Sequence, residues 1–420
     1  MIHLSHPTGN ANVRAVAKAM LEHHLLEGYS TTLALHSGSF LQKAGIARIL
    51  KELNRRRYSE ELSPFIKSYP FPELIRLFAG KMNYTSLIEH ETGPYSVDRI
   101  YRYLDKKVSL HIKRKSAEIK GVYAYEDGAL ESFKAAKRLG LTTIYDLPIA
   151  YWETGRKLML EEAERYPEWA ETLGGGIRDS VEKLERKTQE LELADVVVGP
   201  GSFVMDSLPK WASTKTTIVS PFGSPQVNKT PVFNSSPKNE PLRILFVGSM
   251  TQRKGLADLF EAFKLLGKQE AIELVVLGSL RKPLAFYKSI YPDFIYEPGR
   301  SHEEVLKLMR SCDVFCLPSI VEGRALVMQE AMSQGLPLII TTNTGGADLV
   351  EKPGAGFLVP VQSPQEIAAR LIWFLDNRSL IPDMGFEAYK RSQTYTWDAY
   401  GKHIALKTQE FINHSHKIGV

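Results

Sequence analysis

Cysteine is nearly missing from this 420-residue chain: only Cys312 and Cys316 occur, four positions apart in SCDVFCLPS. Two residues so placed along an expected strand cannot bridge, and two cysteines make no disulfide framework. A disulfide-stapled secreted scaffold is therefore excluded, and both thiols are expected in the core of a protein from a reducing compartment. No run approaches 18 apolar residues, so no segment suits a membrane-spanning helix. The opening MIHLSHPTGN turns polar within a few positions and lacks the positive head and apolar stretch of a secretory signal. These absences lead to the expectation of a cytoplasmic protein, soluble or peripheral at the inner face of a membrane.

Nucleotide-binding fingerprints are missing as well. Neither the G-x-G-x-x-G dinucleotide loop nor the P-loop pattern is present, which counts against a dehydrogenase and an NTPase. The chain has no Asp-x-Asp pair and no His/Cys cluster suited to a metal, so neither a metal site nor a cofactor is expected.

What is present describes an ordinary globular protein. Hydrophobic residues make up 43% and charged residues 24%, and a length of 420 residues favours two domains over one core. The net charge of +5 is unevenly spread: residues 1–120 hold 19 Lys+Arg against 11 Asp+Glu, a net of +8, leaving −3 for the rest. LNRRRY (Arg55, Arg56, Arg57) and IKRKS (Lys113, Arg114, Lys115) concentrate this charge. Such clusters either attract an anionic lipid or substrate or form a solvated helix face.

Short β-branched or apolar runs alternate with longer amphipathic stretches, the pattern of βα units around a parallel sheet. Strand candidates are IHLS, TTLALH, GVYAYED, TTIYDLP and ADVVVGPG in the first half, and RILFVGS, IELVVLGS, VFCLPS and LPLIIT in the second. Between RILFVGS and IELVVLGS, Leu256, Leu259, Phe260, Phe263 and Leu266 form one apolar helical stripe. Further helices are expected from about Leu326 and in SPQEIAARLIWFLDN, which has a Ser start signal. QVNKTPVFNSSPKNEP (226–241) lacks periodicity and reads as a linker. The expected architecture is α/β, with two doubly wound Rossmann-like domains, 1–221 and 222–395, facing each other across a cleft, and a terminal helix 396–420 that packs back onto the first.

Three stretches suit chemistry. In FVGSMTQRKGLADL a strand ends at Gly248 and Ser249, and Arg253 and Lys254 precede a helix; this suits a diphosphate, or is a turn with surface cations. In SHPTGNANVRAVAKAM a strand, a loop with Gly9, Asn10 and Asn12, and a helix repeat the idea more weakly. In SIVEGRALVMQEAMSQG, Glu322 stands in a loop and Glu330 a full turn into a helix. These carboxylates suit ribose and hexose hydroxyls, or are solvated and capping residues.

Together these stretches resemble the glycosyltransferases of family 4, which have the GT-B fold. The resemblance runs over most of the chain and is strongest from about Val196 to Leu375, on FVGSMTQRKG, LVVLGS, SCDVFCLPSIVEGRALVMQEAMSQGLPLI and TTNTGGADLVEKPGAGFLVP. It implies an acceptor-binding first domain and a donor-binding second domain. It also implies Glu322 on the donor-sugar hydroxyls, Glu330 on the ribose, and Gly323, Leu326 and Val327 as backbone meeting sugar and phosphate. Lys254 would neutralise the leaving diphosphate.

Three positions depart from the family's pattern. Ser249 stands where Arg is frequent, so Arg253 is assigned the cationic task. EGRAL replaces EGFGL, which puts Arg324 and Ala325 in the donor loop. Tyr145 and Asp146 follow the strand where the family's histidine is usual. Asp146 is taken as the catalytic candidate there, with Tyr145, Glu126 and Asp127 beside it as alternatives that are equally N-cap or turn residues; His3 and His6 receive no role. The implied activity is retaining, metal-independent hexosyl transfer from a nucleotide sugar, UDP-linked, to a saccharide or lipid-linked acceptor in polysaccharide or glycolipid synthesis. Contact with an anionic membrane is included and nucleic acid is not. The rivals are another chemistry on the same fold, such as epimerisation, and a nucleotide-sugar-binding protein with little catalysis.

Overall fold

The computed structural model describes residues 1–36, 56–225, 239–267, 270–352 and 354–418. Arg55 and most of the expected linker lie outside them.

Thirteen strands among these residues form two all-parallel sheets. In the first the order is β3 (Ile66–Ser68), β2 (Leu26–Thr31), β1 (Ile2–Ser5), β4 (Gly121–Tyr125), β5 (Thr142–Asp146), β6 (Val196–Gly199) and β7 (Thr216–Val219). The second runs β10 (Phe294–Glu297), β9 (Ile272–Leu277), β8 (Leu242–Val247), β11 (Val314–Leu317), β12 (Leu338–Thr341) and β13 (Gly356–Val359). The central strands are buried on both faces, as their unbroken Val/Ile/Leu runs require. Strand order reverses between β1 and β4 and between β8 and β11, and at such switch points the loops after the carboxyl ends form a crevice.

The apolar stripe of the helix Leu256–Leu266 is wholly buried in the second core, where each large side chain contributes about 1.5–3 kcal/mol. Both cysteines are buried and unbridged, Cys316 within β11, and burial pushes the Cys312 thiol up to about 12.

Two segments cross between the sheets. The helix Trp152–Arg165 and the turn Pro167–Thr172 precede β6 in sequence, yet Trp169 is buried against Phe260, Phe286 and Tyr287 of the second core. Arg165 donates to both carboxylate oxygens of Asp258, at 2.5 and 3.2 Å. The helix Trp397–Ile418 returns to the first core, with Tyr400 and Ile404 in the cluster of β1. Gly401 permits this approach: a Cβ there would sit 2.3 Å from the Ala15 carbonyl oxygen on the helix Ala11–Glu22.

One strand expectation is corrected. TTLALH (31–36) is not a strand beyond Thr31; β2 is LEGYST, and Leu35 makes only an isolated bridge to Arg57. The polar residues of β2 are paired internally, Ser30 Oγ with His3 Nε2 at 3.0 Å and Thr31 Oγ1 with the Pro7 carbonyl at 3.2 Å. An interior strand carrying polar groups is tolerable because each finds a partner.

Candidate active site

The loop after β8 turns through Gln252–Lys254 and reaches the helix at Gly255, whose φ of +72° is left-handed. A Cβ at Gly255 would lie 1.9 Å from the Pro318 carbonyl oxygen, so glycine is needed to bring this turn against the loop after β11. The side chain of Gln252 accepts from Ala257 N at 2.8 Å and caps the helix. That close approach sets Arg253 and Lys254 on Glu322: Arg253 Nη1 donates to Glu322 Oε1 at 2.8 Å, and Lys254 Nζ pairs with the same oxygen. Burial lowers the Lys254 ammonium from its usual range, and Arg253 adds to this while Glu322 opposes it. Gly248 lies beside the Lys254 stem, and Ser249 follows it.

Glu330 is one turn into the helix Leu326–Ser333, 3.3 Å from His302. Leu326 and Val327 open that helix, where no side chain caps the first turn at Ala325; Met328 N donates to the Ala325 carbonyl at 3.0 Å, and the N–H groups of Leu326 and Val327 precede any intrahelical acceptor. Gly323 touches the other domain: a Cβ would fall 1.8 Å from the Pro148 carbonyl oxygen.

On the first domain, Gly9 has φ +60° and packs on Tyr58 and Tyr29, where a Cβ would clash at 1.7 Å. Asn10 stands before the helix Ala11–Glu22 without a side-chain cap bond, its Oδ1 accepting from Thr8 Oγ1 at 3.0 Å. His6 Nδ1 accepts from Thr8 N and Gly9 N at 3.0 and 2.9 Å. Burial, reinforced by Arg56, pushes its pKa down to about 3, so the ring is neutral with its proton on Nε2.

Glu126, just past β4, pairs with Lys187 at 3.2 Å, and Asp127 pairs with Arg186 at 3.3 Å. Burial raises Glu126, with Lys187 opposing, and burial with the Asp127 charge raises Glu190 to about 8. A cavity of about 250 Å³ is lined by Glu126, Trp152, Asp179 and Lys187 from the first half and by Arg253 and Val321 from the second. A wider groove of about 690 Å³ lies on the first domain between the helices Val97–Arg114 and Val181–Leu193, bordered by no residue of the second sheet.

Residues 228–391 match the family model described as glycosyl transferases group 1. Over 185 residues the chain is 32% identical to WcaL of Salmonella typhimurium, a protein assigned as a colanic acid biosynthesis glycosyltransferase, covering 40% of this chain and 45% of that one. It is 30% identical over 156 residues to a GDP-mannose-dependent alpha-mannosyltransferase of Corynebacterium glutamicum, covering 37% and 36%. The chain thus spans less than half the length of these curated relatives. Among solved structures, a sucrose-phosphate synthase from Thermosynechococcus elongatus superposes with a TM-score of 0.63 at 16% identity, covering 98% of this chain and 99% of that one. HepE from Anabaena, solved with UDP, gives 0.59 at 15%, covering 97% and 99%.

The fold is GT-B. Of the expected site residues Arg253 lines the cavity, and two others, Arg324 and Asp146, are taken up by contacts inside the fold. Arg324 has a fully buried side chain, forked onto Asp348 at 2.7 and 3.1 Å, bonded to Gln329 and the Gly345 carbonyl, and stacked over Tyr395. Four of its five guanidinium N–H donors are used to hold loops together in a fully buried setting. Asp146 ends β5 on the face toward the helix Trp397–Ile418, accepting from Tyr123 Oη at 2.6 Å, and burial pushes its carboxyl up to about 7. Strand alternation sends Tyr145 to the opposite face, where it too is buried.

Among the described residues, folding brings together two groups whose donor atoms could hold a metal ion, His3–Glu27–His111 and His90–Glu91–Asp179. Sequence reasoning missed them, and missed His6, because their members are brought together by the sheet rather than by spacing.

Proposed function

We propose that the protein is a glycosyltransferase that moves a hexose from a nucleotide diphosphate sugar, a UDP-sugar, to a saccharide or lipid-linked acceptor during polysaccharide or glycolipid synthesis. The observation that carries this reading is the meeting of Glu322 with Arg253 and Lys254 beside a cavity bordered by both domains. The second domain holds the donor, with Glu330 on the ribose and the start of the helix Leu326–Ser333 on phosphate; the first holds the acceptor. The role assigned to WcaL and the UDP bound by HepE support the reading.

Breaking the bond between sugar and diphosphate develops negative charge on the phosphate. Arg253, Lys254 and helix-start N–H groups supply positive charge there in a half-buried setting, so the transfer is proposed to run without a divalent metal or a cofactor. When diphosphate arrives it replaces Glu322 on the two cations, which releases the carboxylate to accept from donor-sugar hydroxyls. Retention belongs to this reading: the released Glu322 is engaged by donor-sugar hydroxyls rather than by the anomeric carbon, which favours attack by the acceptor on the face the phosphate leaves.

The protein is proposed to act in the cytoplasm at the inner face of a membrane, with no nucleic-acid partner. Phe71, Ile75, Phe78 and Met82 recur along the helix Phe71–Lys81 and just past it, and all are exposed, Phe71 by 67% and Phe78 by 60%. Beside a region of net charge +8 this stripe suits an anionic bilayer. Cosedimentation with anionic but not neutral vesicles is the matching measurement, and equal binding to both would remove this part of the reading.

The deciding experiment is nucleotide release from UDP-, GDP- and ADP-sugars in EDTA. Release of one nucleotide, abolished by both Glu322→Ala and Lys254→Ala, is expected. Tight binding without release over a wide acceptor panel would instead favour a nucleotide-sugar-binding protein.

A further inference from the structure

The strongest unassigned feature lies at the amino ends of β1 and β2, opposite the strand ends that border the cavity. His3 of β1, Glu27 of β2 and His111 of the helix Val97–Arg114 converge there from three separate elements. His3 Nδ1 is 2.7 Å from Glu27 Oε2, and His111 Nε2 is 3.2 and 3.3 Å from the two Glu27 oxygens. All three donor atoms lie within 4.8 Å of one another.

We propose that His3, Glu27 and His111 form a binding site for a divalent ion of the zinc class. Bonds of about 2.0–2.2 Å in a tetrahedral site separate neighbouring donors by roughly 3.3 Å, so the His111–Glu27 spacing of 3.2 Å already fits, the His3–Glu27 spacing of 2.7 Å opens by about 0.6 Å, and the two imidazole nitrogens start within 4.8 Å of each other. The outer nitrogen of His3 is already fixed, 3.0 Å from Ser30 Oγ, which turns Nδ1 toward the carboxylate as an outer-shell partner does in metal sites. His3 is buried, while the Glu27 and His111 side chains keep 8% and 13% of their surface, enough for an ion to enter and for water to complete the coordination.

The surroundings select the ion. Lys67 acts on His3, and Lys115 and the N-terminal amine act on Glu27, so one carboxylate faces several cations. A hard ion such as magnesium or calcium, held by oxygen charge, gains little there. An ion that bonds to imidazole nitrogen gains two such donors. The His90–Glu91–Asp179 group is a weaker candidate: His90 is exposed, Asp179 is already 3.0 Å from Lys183, and Glu91 is bonded to Ser180. Bound metal would clamp the helix Val97–Arg114 to the sheet, and the same helix carries Asp98 on Arg186 and Asp105 on the backbone of Ser132.

The test uses the untagged full chain, stripped with EDTA and titrated with zinc chloride against a chromophoric chelator, with cobalt as a second probe and thermal unfolding in parallel. One zinc per chain at micromolar affinity or better, tetrahedral cobalt absorption, and a raised Tm are expected. His111→Ala, chosen because it is partly exposed, should weaken zinc by more than about 10-fold and lose the Tm rise, as should His3→Asn. Binding no tighter than millimolar, or equal binding by wild type and His111→Ala, would overturn the site. Should His3→Asn not fold, the His111→Ala titration decides alone.

Discussion

Replacing Glu322 with alanine should tighten the binding of free UDP while abolishing sugar transfer, two effects of opposite sign from one substitution. In the structure Arg253 and Lys254 share Glu322 Oε1, with side-chain exposures of 27% and 12% and 11% for the glutamate. At about 2.8 Å and an effective dielectric of about 20, one such contact is worth roughly 6 kcal/mol before desolvation. Solvation of the exposed part of Arg253 and the desolvation already incurred reduce the net value to about 1–3 kcal/mol. A diphosphate must displace that carboxylate from the cations. Without it, UDP should gain about 1–2 kcal/mol, or roughly 5- to 30-fold in Kd. Glu322→Gln, which keeps the side-chain volume but not the charge, should fall between. Calorimetric titration in EDTA with UDP, or with whichever nucleoside diphosphate the release assay selects, reads this directly. The unliganded variant should also lose about 1–3 kcal/mol of stability, because two half-buried cations lose their counter-charge. Unchanged or weaker UDP binding by a folded Glu322→Ala protein would refute the displacement.

Two further predictions separate the corrected residues from the cavity. The Asp146 carboxyl is raised to about 7 by burial, so the folded state binds a proton that the unfolded chain has released above about 4. Stability must therefore fall as pH rises from about 4 to about 7, and Asp146→Asn, which cannot ionise, should gain about 2–4 kcal/mol on wild type at pH 8 and little at pH 4 by urea unfolding; an equal difference at both pH values would show that ionisation is not the cause. Arg324→Ala should cost about 2–4 kcal/mol by leaving Asp348, Gln329 and the Gly345 carbonyl without their donor, yet leave nucleotide affinity within about twofold, and a large loss of affinity in a stable variant would return Arg324 to the donor site.

The interior strands were legible in the sequence and the borders were not. IHLS coincides with β1, GVYAYED, TTIYDLP, ADVVVGPG, IELVVLGS, VFCLPS and LPLIIT each contain their strand, and RILFVGS holds all of β8 but Leu242. The strands absent from the candidates, β3, β7, β10 and β13, are the four sheet edges, each with at least one exposed position. An edge strand buries too little to show a continuous apolar run, so its pattern merges with that of a loop. The displaced β2 has a different cause. TTLALH has the better alternation, but LEGYST has polar side chains that His3 and the Pro7 carbonyl satisfy, and a single sequence does not show those partners.

The site divides along the same line. Gly248, Arg253 and Lys254 sit within seven residues, so their strand, turn and helix start were readable together. The ion pairs that give Glu322 its setting join residues 68 and 69 positions away, through a turn that only Gly255 permits. For Asp146 the sequence position was right and the direction undecided: the last residue of a strand points to one face or the other, and here the helix Trp397–Ile418 and Tyr123 take it. If a first-domain carboxylate meets the acceptor in this cavity, the lining residues reduce the choice to Glu126 and Asp179. Asp179 is bonded to Lys183 and His90, whereas Glu126 has Lys187 alone among its ion-pair partners. Burial pushes the Glu126 carboxyl up while Lys187 and Lys183 pull it back, and its Oε1 is buried without a hydrogen-bond partner, which makes Glu126 rather than Asp146 the residue to test for acceptor binding.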